Sequence, residues 1–304
     1  MTRACRLFVL LIALCLIIAP VGCRDLSEDE QEPGVPETNP GPGYPGANDD
    51  NGDDDAPLVG TKYPIVLMHG FFGWGEAGPL SYFAGVQKDL AAQGFEVIDP
   101  AVSAIHSMEY RAGQWADVIN AAYAGRKINI IAHSQGGLDA RYMISQMGWG
   151  DRIASVTMIA VPNQGSALAD YAAEILPDPI EWMIDWVLNL LGMDWDGIIQ
   201  ISNDYVRNEF NPANPDDPRV KYYSFQTDCG NDCFFLLLPT HGLLESLEGP
   251  NDGIVPTAGS AYGENFGVLH ADHWSCIGQP AGLAAFDHKT LYREIAYGLR
   301  DAGF

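Results

Sequence analysis

Positive charge is scarce: 16 lysines and arginines face 40 aspartates and glutamates, a formal net charge of -24 over 304 residues. A chain this short of cations has little with which to neutralise phosphates, which argues against nucleic acid as its partner. Long apolar runs are missing too. The stretch from Leu7 to Ala19 is too short for a comfortable membrane span, and Arg3 and Arg6 before it give the charge asymmetry of a signal peptide. No internal repeat is visible. Cysteine is sparse: beyond Cys23 only Cys229, Cys233 and Cys276 remain, an odd number, so an oxidising compartment should leave one bridge and one free thiol. The pairing is open. Cys229 with Cys233 is the local option, and a link from either to Cys276 would tie two distant loops together. A zinc site from these cysteines and His241 lacks the spacing of a structural finger.

What is present divides the chain into three parts. Residues 1–22 read as an export signal ending Ala-Pro-Val-Gly before Cys23, which resembles the bacterial lipobox, although Pro20 stands where a leucine-like residue is usual. Acylation of Cys23 would tether the mature chain to the outer membrane or the cell surface without a spanning helix; otherwise the protein is simply secreted. Residues 23–58 are dense in Pro, Gly, Asn and acid, with eleven acidic residues against one base between Arg24 and Pro57. Such a segment cannot bury enough apolar surface to order itself, so it reads as a solvated tether. Asn48 to Asp55 lacks the glycine spacing and terminal glutamate of an EF-hand loop.

From residue 59 to residue 304, with 47% of the whole chain hydrophobic, there is ample material for a core. Apolar runs at Tyr63–Met68, Phe95–Ile98, Lys127–His133 and Ile153–Val161 predict strands, and helical spacing at Pro79–Gln93 and Glu109–Gly125 predicts helices between them. This alternation predicts an α/β fold with a mostly parallel sheet covered by helices on both faces. One stretch organises it: Ile128 to Ile131, then Ala-His-Ser-Gln-Gly, then a helical pattern, the strand, sharp turn and helix of a nucleophile elbow with Ser134 at its tip. Ala132 and Gly136 are small enough to let strand and helix pass closely.

A serine hydroxyl needs a histidine to take its proton and an acid to orient that histidine. In the order Ser, acid, His, the acid is Asp252, in the turn Asn251-Asp252-Gly253, and the histidine is His273, in a short loop before the last helical pattern. His270 is the reserve, His288 reads as a solvated helix residue, and Asp228 and Asp232 are rival acids in cysteine-rich surroundings. The oxyanion donors should be the backbone N–H groups of Gln135 and of Phe71, in the loop after the first strand. Arg111 reads equally as a buttress of that loop's carbonyls or as an exposed helix arginine.

The stretches Tyr63 to Phe71, His133 to Gly137, Val161 to Ser166 and Asn251 to Val255 resemble the secreted triacylglycerol lipases of Pseudomonas and Burkholderia, in order and over most of the mature domain. The alanine at Ala132 is similar instead to the elbow of the small Bacillus lipases. The resemblance implies an α/β-hydrolase fold, a triad of Ser134, Asp252 and His273, and a lipid or ester substrate met at an interface. It also implies a structural calcium near the histidine loop, not needed for the chemistry, for which Asp232 and Gln279 stand at matching places while Ser275 replaces a second aspartate. A helical lid region at about 167–210 is expected, with a broadly apolar helix from Ile180 to Met193. The expected activity is serine carboxylester hydrolysis of acylglycerols. An esterase or polyester hydrolase with the same triad is the near alternative, and a non-catalytic lipid- or partner-binding surface lipoprotein the distant one. Chain-length preference, oligomeric state and the need for a folding helper stay open.

Overall fold

The structure, a computed structural model, describes residues 60–73, 81–175, 196–280 and 286–304. The export signal, Cys23, the acidic tether and the helix expected over Ile180 to Met193 lie outside these residues. Six strands form one sheet: β1 Ile65–Met68, β2 Val97–Ile98, β3 Ile128–His133, β4 Ile153–Ile159, β5 Lys221–Asp228 and β6 Glu264–His270. Their order is β2-β1-β3-β4-β5-β6 and every neighbouring pair is parallel. Parallel pairing requires a crossover between strands. The principal helices are α1 Val86–Ala92, α2 Met108–Tyr123, α3 Gln135–Gln146, α4 Ala167–Ile175, α5 Leu238–Glu248 and α6 His288–Asp301.

β1 shows how two faces are served by one strand. Ile65 and Leu67 join an apolar cluster with Val86 and Leu90 of α1 and Leu291, Ile295 and Leu299 of α6. Val66 and Met68 join the opposite cluster with Met108, Trp115 and Ile119 of α2 and Leu138 and Met143 of α3. All four residues of β1 are buried, as a strand covered on both faces must be. No helix among the described residues is long and apolar enough to cross a membrane.

Several boundaries differ from those expected. Within the helix expected over Pro79–Gln93, residues 81–85 are irregular and the helix begins at Val86, after Gly85 in the left-handed region at φ 70°. The apolar side chains of Tyr82 and Phe83 before it face the interior from an irregular segment, which periodicity cannot separate from a helix turn. β5 and β6 did not stand out in sequence. β6 is an edge strand whose exposed residues and Gly267 break the apolar pattern. His288, expected to be solvated, is instead half-buried, and its Nε2 meets the carbonyl of Ala84 at 2.8 Å. Opening α6 after the cap Asp287, it ties that helix to the segment preceding α1.

Candidate active site

β3 runs straight into α3, and Ser134 occupies the single residue between them with φ 55° and ψ -135°. A side chain rarely tolerates that conformation, so the turn survives only because its surroundings over-determine it. The Ser134 amide donates to Ile159 O at 3.1 Å, pinning the elbow to β4. Glycines clear the space around it. A Cβ on Gly136 would lie 2.3 Å from Met68 O, and one on Gly70 would lie 2.5 Å from the Ser134 Cβ and 2.9 Å from its Oγ. Gly70→Ala should therefore fold, because only a loop must shift, but lose at least tenfold in any turnover that depends on Ser134 as the serine is displaced, about the scale of a small misplacement at a reacting atom.

The other two residues arrive from the carboxyl ends of β5 and β6. Asp252 is fully buried in the turn after α5. Its Oδ1 accepts from the amides of Ile254 at 2.9 Å and Val255 at 2.7 Å, and its Oδ2 accepts from Thr227 Oγ1 at 2.6 Å. The same Oδ2 meets His273 Nδ1 at 2.9 Å, and His273 Nε2 meets Ser134 Oγ at 3.1 Å. With the Asp252 carboxylate accepting at Nδ1–H, the Nε2 lone pair is left facing the hydroxyl, the tautomer proton abstraction needs. The His273 amide also donates to Asp252 O at 2.9 Å, so the two loops are joined through backbone as well as side chain. The Val161–Ser166 stretch supports the same turn: Ser166 Oγ donates to Ile254 O at 2.7 Å.

Gln135 follows the serine and Phe71 follows Gly70, which packs against Ser134, and neither amide is spent on a loop or cap bond among the described residues. The loop carrying Phe71 is held from below. His69 Nε2 accepts from the Val102 amide at 3.0 Å, so its Nδ1–H donates to Gly70 O at 2.9 Å. Burial first, and then the nearby Arg111 guanidinium, push the His69 pKa down to about 3, so this bracing imidazole stays neutral. Arg111 is wholly buried, which settles its two readings in favour of the buttress. It donates to His69 O at 2.6 Å, to Ser103 O, and through Nε to Asp139 Oδ2 at 2.8 Å.

The remaining candidates are elsewhere. His270 pairs with Asp232 at 2.9 Å on the exposed surface, and Asp228 accepts from the Gly230 amide at 3.0 Å; neither meets His273. Gln279 donates to Ser81 O at 2.8 Å and shares no hydrogen-bond partner with Asp232 among the described residues. The serine at position 275 donates its hydroxyl to Asp272 O at 3.1 Å. One exposed carboxylate, already paired with a histidine, is a poor donor set for a hard cation, so these residues do not fit calcium. Cys229 and Cys233 form the local disulfide, and Cys276 is the free, buried thiol. His241 lies with this pair, within 4.8 Å, but both sulfurs are bound to each other rather than available as thiolates. The Cys229 amide donates to Asn251 O at 3.2 Å, so the bridge secures the turn that carries Asp252. Thr227, Tyr82 and His133 were not singled out in sequence. Only the position of His133 beside the nucleophile could have drawn attention.

No protein-family model matches the chain. A triacylglycerol lipase of Vibrio cholerae is 28% identical over 283 residues, 80% of this chain and 89% of that protein. A triacylglycerol lipase of Pseudomonas fragi is 40% identical, but over 115 residues, which span 37% of this chain and only 39% of that protein's length. Among solved structures, the metagenomic carboxyl esterase MGS0156 superposes with a TM-score of 0.64 at 18% identity, covering 82% of this chain and 79% of its own. That last likeness shows the α/β-hydrolase fold.

Proposed function

We propose that this chain, a hydrolase of the lipase and esterase kind related to the bacterial triacylglycerol lipases, splits acylglycerol esters through an acyl-enzyme formed on Ser134. The observation that carries the reading is the unbroken line from Ser134 Oγ to His273 Nε2 at 3.1 Å and from His273 Nδ1 to Asp252 at 2.9 Å, set at a strained elbow. In this reading Ser134 Oγ attacks the ester carbonyl while His273 Nε2 takes its proton. The tetrahedral oxyanion is met by the amides of Phe71 and Gln135, donors whose loss typically costs a few kcal/mol each. His273 returns the proton to the departing alcohol, and Asp252 holds the imidazolium throughout. Water then enters where the alcohol left, and the same groups release the acid.

The substrate is a lipid or ester in the coarse sense that the relatives' names support. The triacylglycerol preference is the finer part of the proposal, as are export and anchoring through Cys23, which rest on the leader and its small residue before that cysteine. Purified wild type and Ser134→Ala, assayed on esters of increasing chain length below and above the concentration at which each forms an interface, test it. Hydrolysis of long-chain esters that rises sharply with the interface and vanishes in Ser134→Ala is expected. Turnover restricted to dissolved short esters would make the protein an esterase instead. Equal labelling of both proteins by a serine-reactive phosphonate would remove the catalytic reading altogether.

A further inference from the structure

Two buried groups have no part in proton transfer, yet one meets the oxyanion loop and the other lies against the His273 ring. Tyr82 lies in the irregular segment before α1, and its hydroxyl meets His133 Nδ1 at 2.7 Å while accepting from the Gly70 amide at 3.2 Å. Gly70 immediately precedes Phe71, whose own amide is the proposed oxyanion donor. His133 is the last residue of β3, fully buried and adjacent to the nucleophile, and its ring centroid lies 4.5 Å from that of His273. Burial, and secondarily the His273 ring, hold His133 far below its ordinary pKa, and burial raises that of Tyr82. A neutral imidazole with its proton on Nε2 and a protonated phenol fit this geometry. Tyr82 O–H donates to His133 Nδ1, and the phenol oxygen keeps a lone pair for Gly70 N–H.

We infer that Tyr82 and His133 are a positioning pair: the imidazole at the end of β3 holds the phenol, and the phenol holds the oxyanion loop in register with the nucleophile on the same strand. The inference rests on the proposed ester hydrolysis. The loop has other braces, but His69 and Arg111 act on carbonyls, at Gly70 O and His69 O. Tyr82 contacts the loop through an amide. With Arg111 on His69 O it fixes both ends of the His69–Gly70 peptide unit, the one immediately before the unit that carries the Phe71 donor, and it ties that unit to the strand of the nucleophile through His133. Donor placement is what a developing oxyanion rewards.

The test uses the choice of acceptor at position 133. An asparagine Oδ1 falls close to where a histidine Nδ1 sits, whereas a glutamine Oε1 falls nearer Nε2. In the full-length enzyme, Tyr82→Phe should lower kcat on a dissolved ester by about 10- to 100-fold, the scale of a small misplacement of a catalytic group, with KM unchanged. Affinity for a boronic acid that forms a tetrahedral serine adduct should fall by the same factor. His133→Asn should stay near wild type, His133→Gln should match Tyr82→Phe, and the Tyr82→Phe/His133→Gln double variant should be no worse than either single one, as for groups acting as a unit. If position 133 serves packing alone, glutamine, closer in volume, will equal or surpass asparagine, and the inference falls. It falls also if Tyr82→Phe keeps wild-type kcat and boronate affinity. Should Tyr82→Phe fail to fold, the contrast between asparagine and glutamine decides alone. A wild type without Ser134-dependent turnover overturns the ester reading and this inference with it, whereas an active wild type with no such contrast overturns the inference only.

Discussion

Asp252→Asn should leave the protein folded and lower kcat at neutral pH by about 10⁴-fold, the magnitude known for a triad locked in the wrong tautomer. The reason is in the partners of each oxygen. Oδ1 accepts from two backbone amides, Ile254 N at 2.9 Å and Val255 N at 2.7 Å, and these cannot rotate away. An asparagine must therefore keep its carbonyl oxygen there and turn its NH2 toward Thr227 and His273. The Thr227 hydroxyl, now a donor at 2.6 Å, can reverse and accept. The imidazole cannot adapt without cost. Its Nδ1 must accept from the new amide, which places the ring proton on Nε2, pointing at Ser134 Oγ 3.1 Å away, so the serine has no base. Measuring kcat together with the melting temperature checks this. A fall of less than tenfold with an intact fold would mean that Asp252 does not set the histidine tautomer.

This contrast also shows which parts of the site were legible in sequence. Ser134 was readable because a strained φ needs small neighbours, and Ala132 and Gly136 leave that mark in the chain. Asp252 and His273 were readable because chain order and turn chemistry leave few candidates. The partners that hold them are another matter. Thr227, Tyr82 and His133 sit in β5, in an irregular segment and at the end of β3, and each becomes informative only when the folded chain sets it against a residue distant in sequence. Arg111 could be read either way, since nothing in the spacing of α2 tells a buried guanidinium from a solvated one. The late start of α1 follows from apolar side chains that face the interior from an irregular segment and look, in sequence, like one more helical turn, whereas the half-burial of His288 follows from the packing of α6 beside Ala84, a contact between distant stretches. The local disulfide was one option among several because cysteine spacing carries no distance.

Asp139→Ala should be the most destabilising single change near the site, costing about 3–5 kcal/mol, since it strands the charge of a fully buried Arg111. The ion pair is not comfortable even when intact. Arg111 Nε and Trp115 Nε1 both reach Asp139 Oδ2, at 2.8 and 3.1 Å, while Oδ1 is buried with no partner among the described residues. Burial therefore outweighs the attraction of Arg111 and pushes the Asp139 pKa from 3.8 up to about 6. Between those values the folded protein binds more protons at this site than the unfolded chain does. Its contribution to stability thus falls as pH rises from about 4 to about 6, and Asp139→Asn should remove that slope. A buried pair of this kind is weakly stabilising at best, so Arg111→Met/Asp139→Leu should recover most of the stability lost in Asp139→Ala. It should not recover activity. Met cannot donate to His69 O or Ser103 O, so the oxyanion loop loses its brace and kcat should stay at least tenfold down, with KM little changed. Chemical denaturation and ester kinetics on the same three proteins separate the two effects. Recovery of kcat in step with stability would show that Arg111 holds the fold and does nothing further for the oxyanion donors.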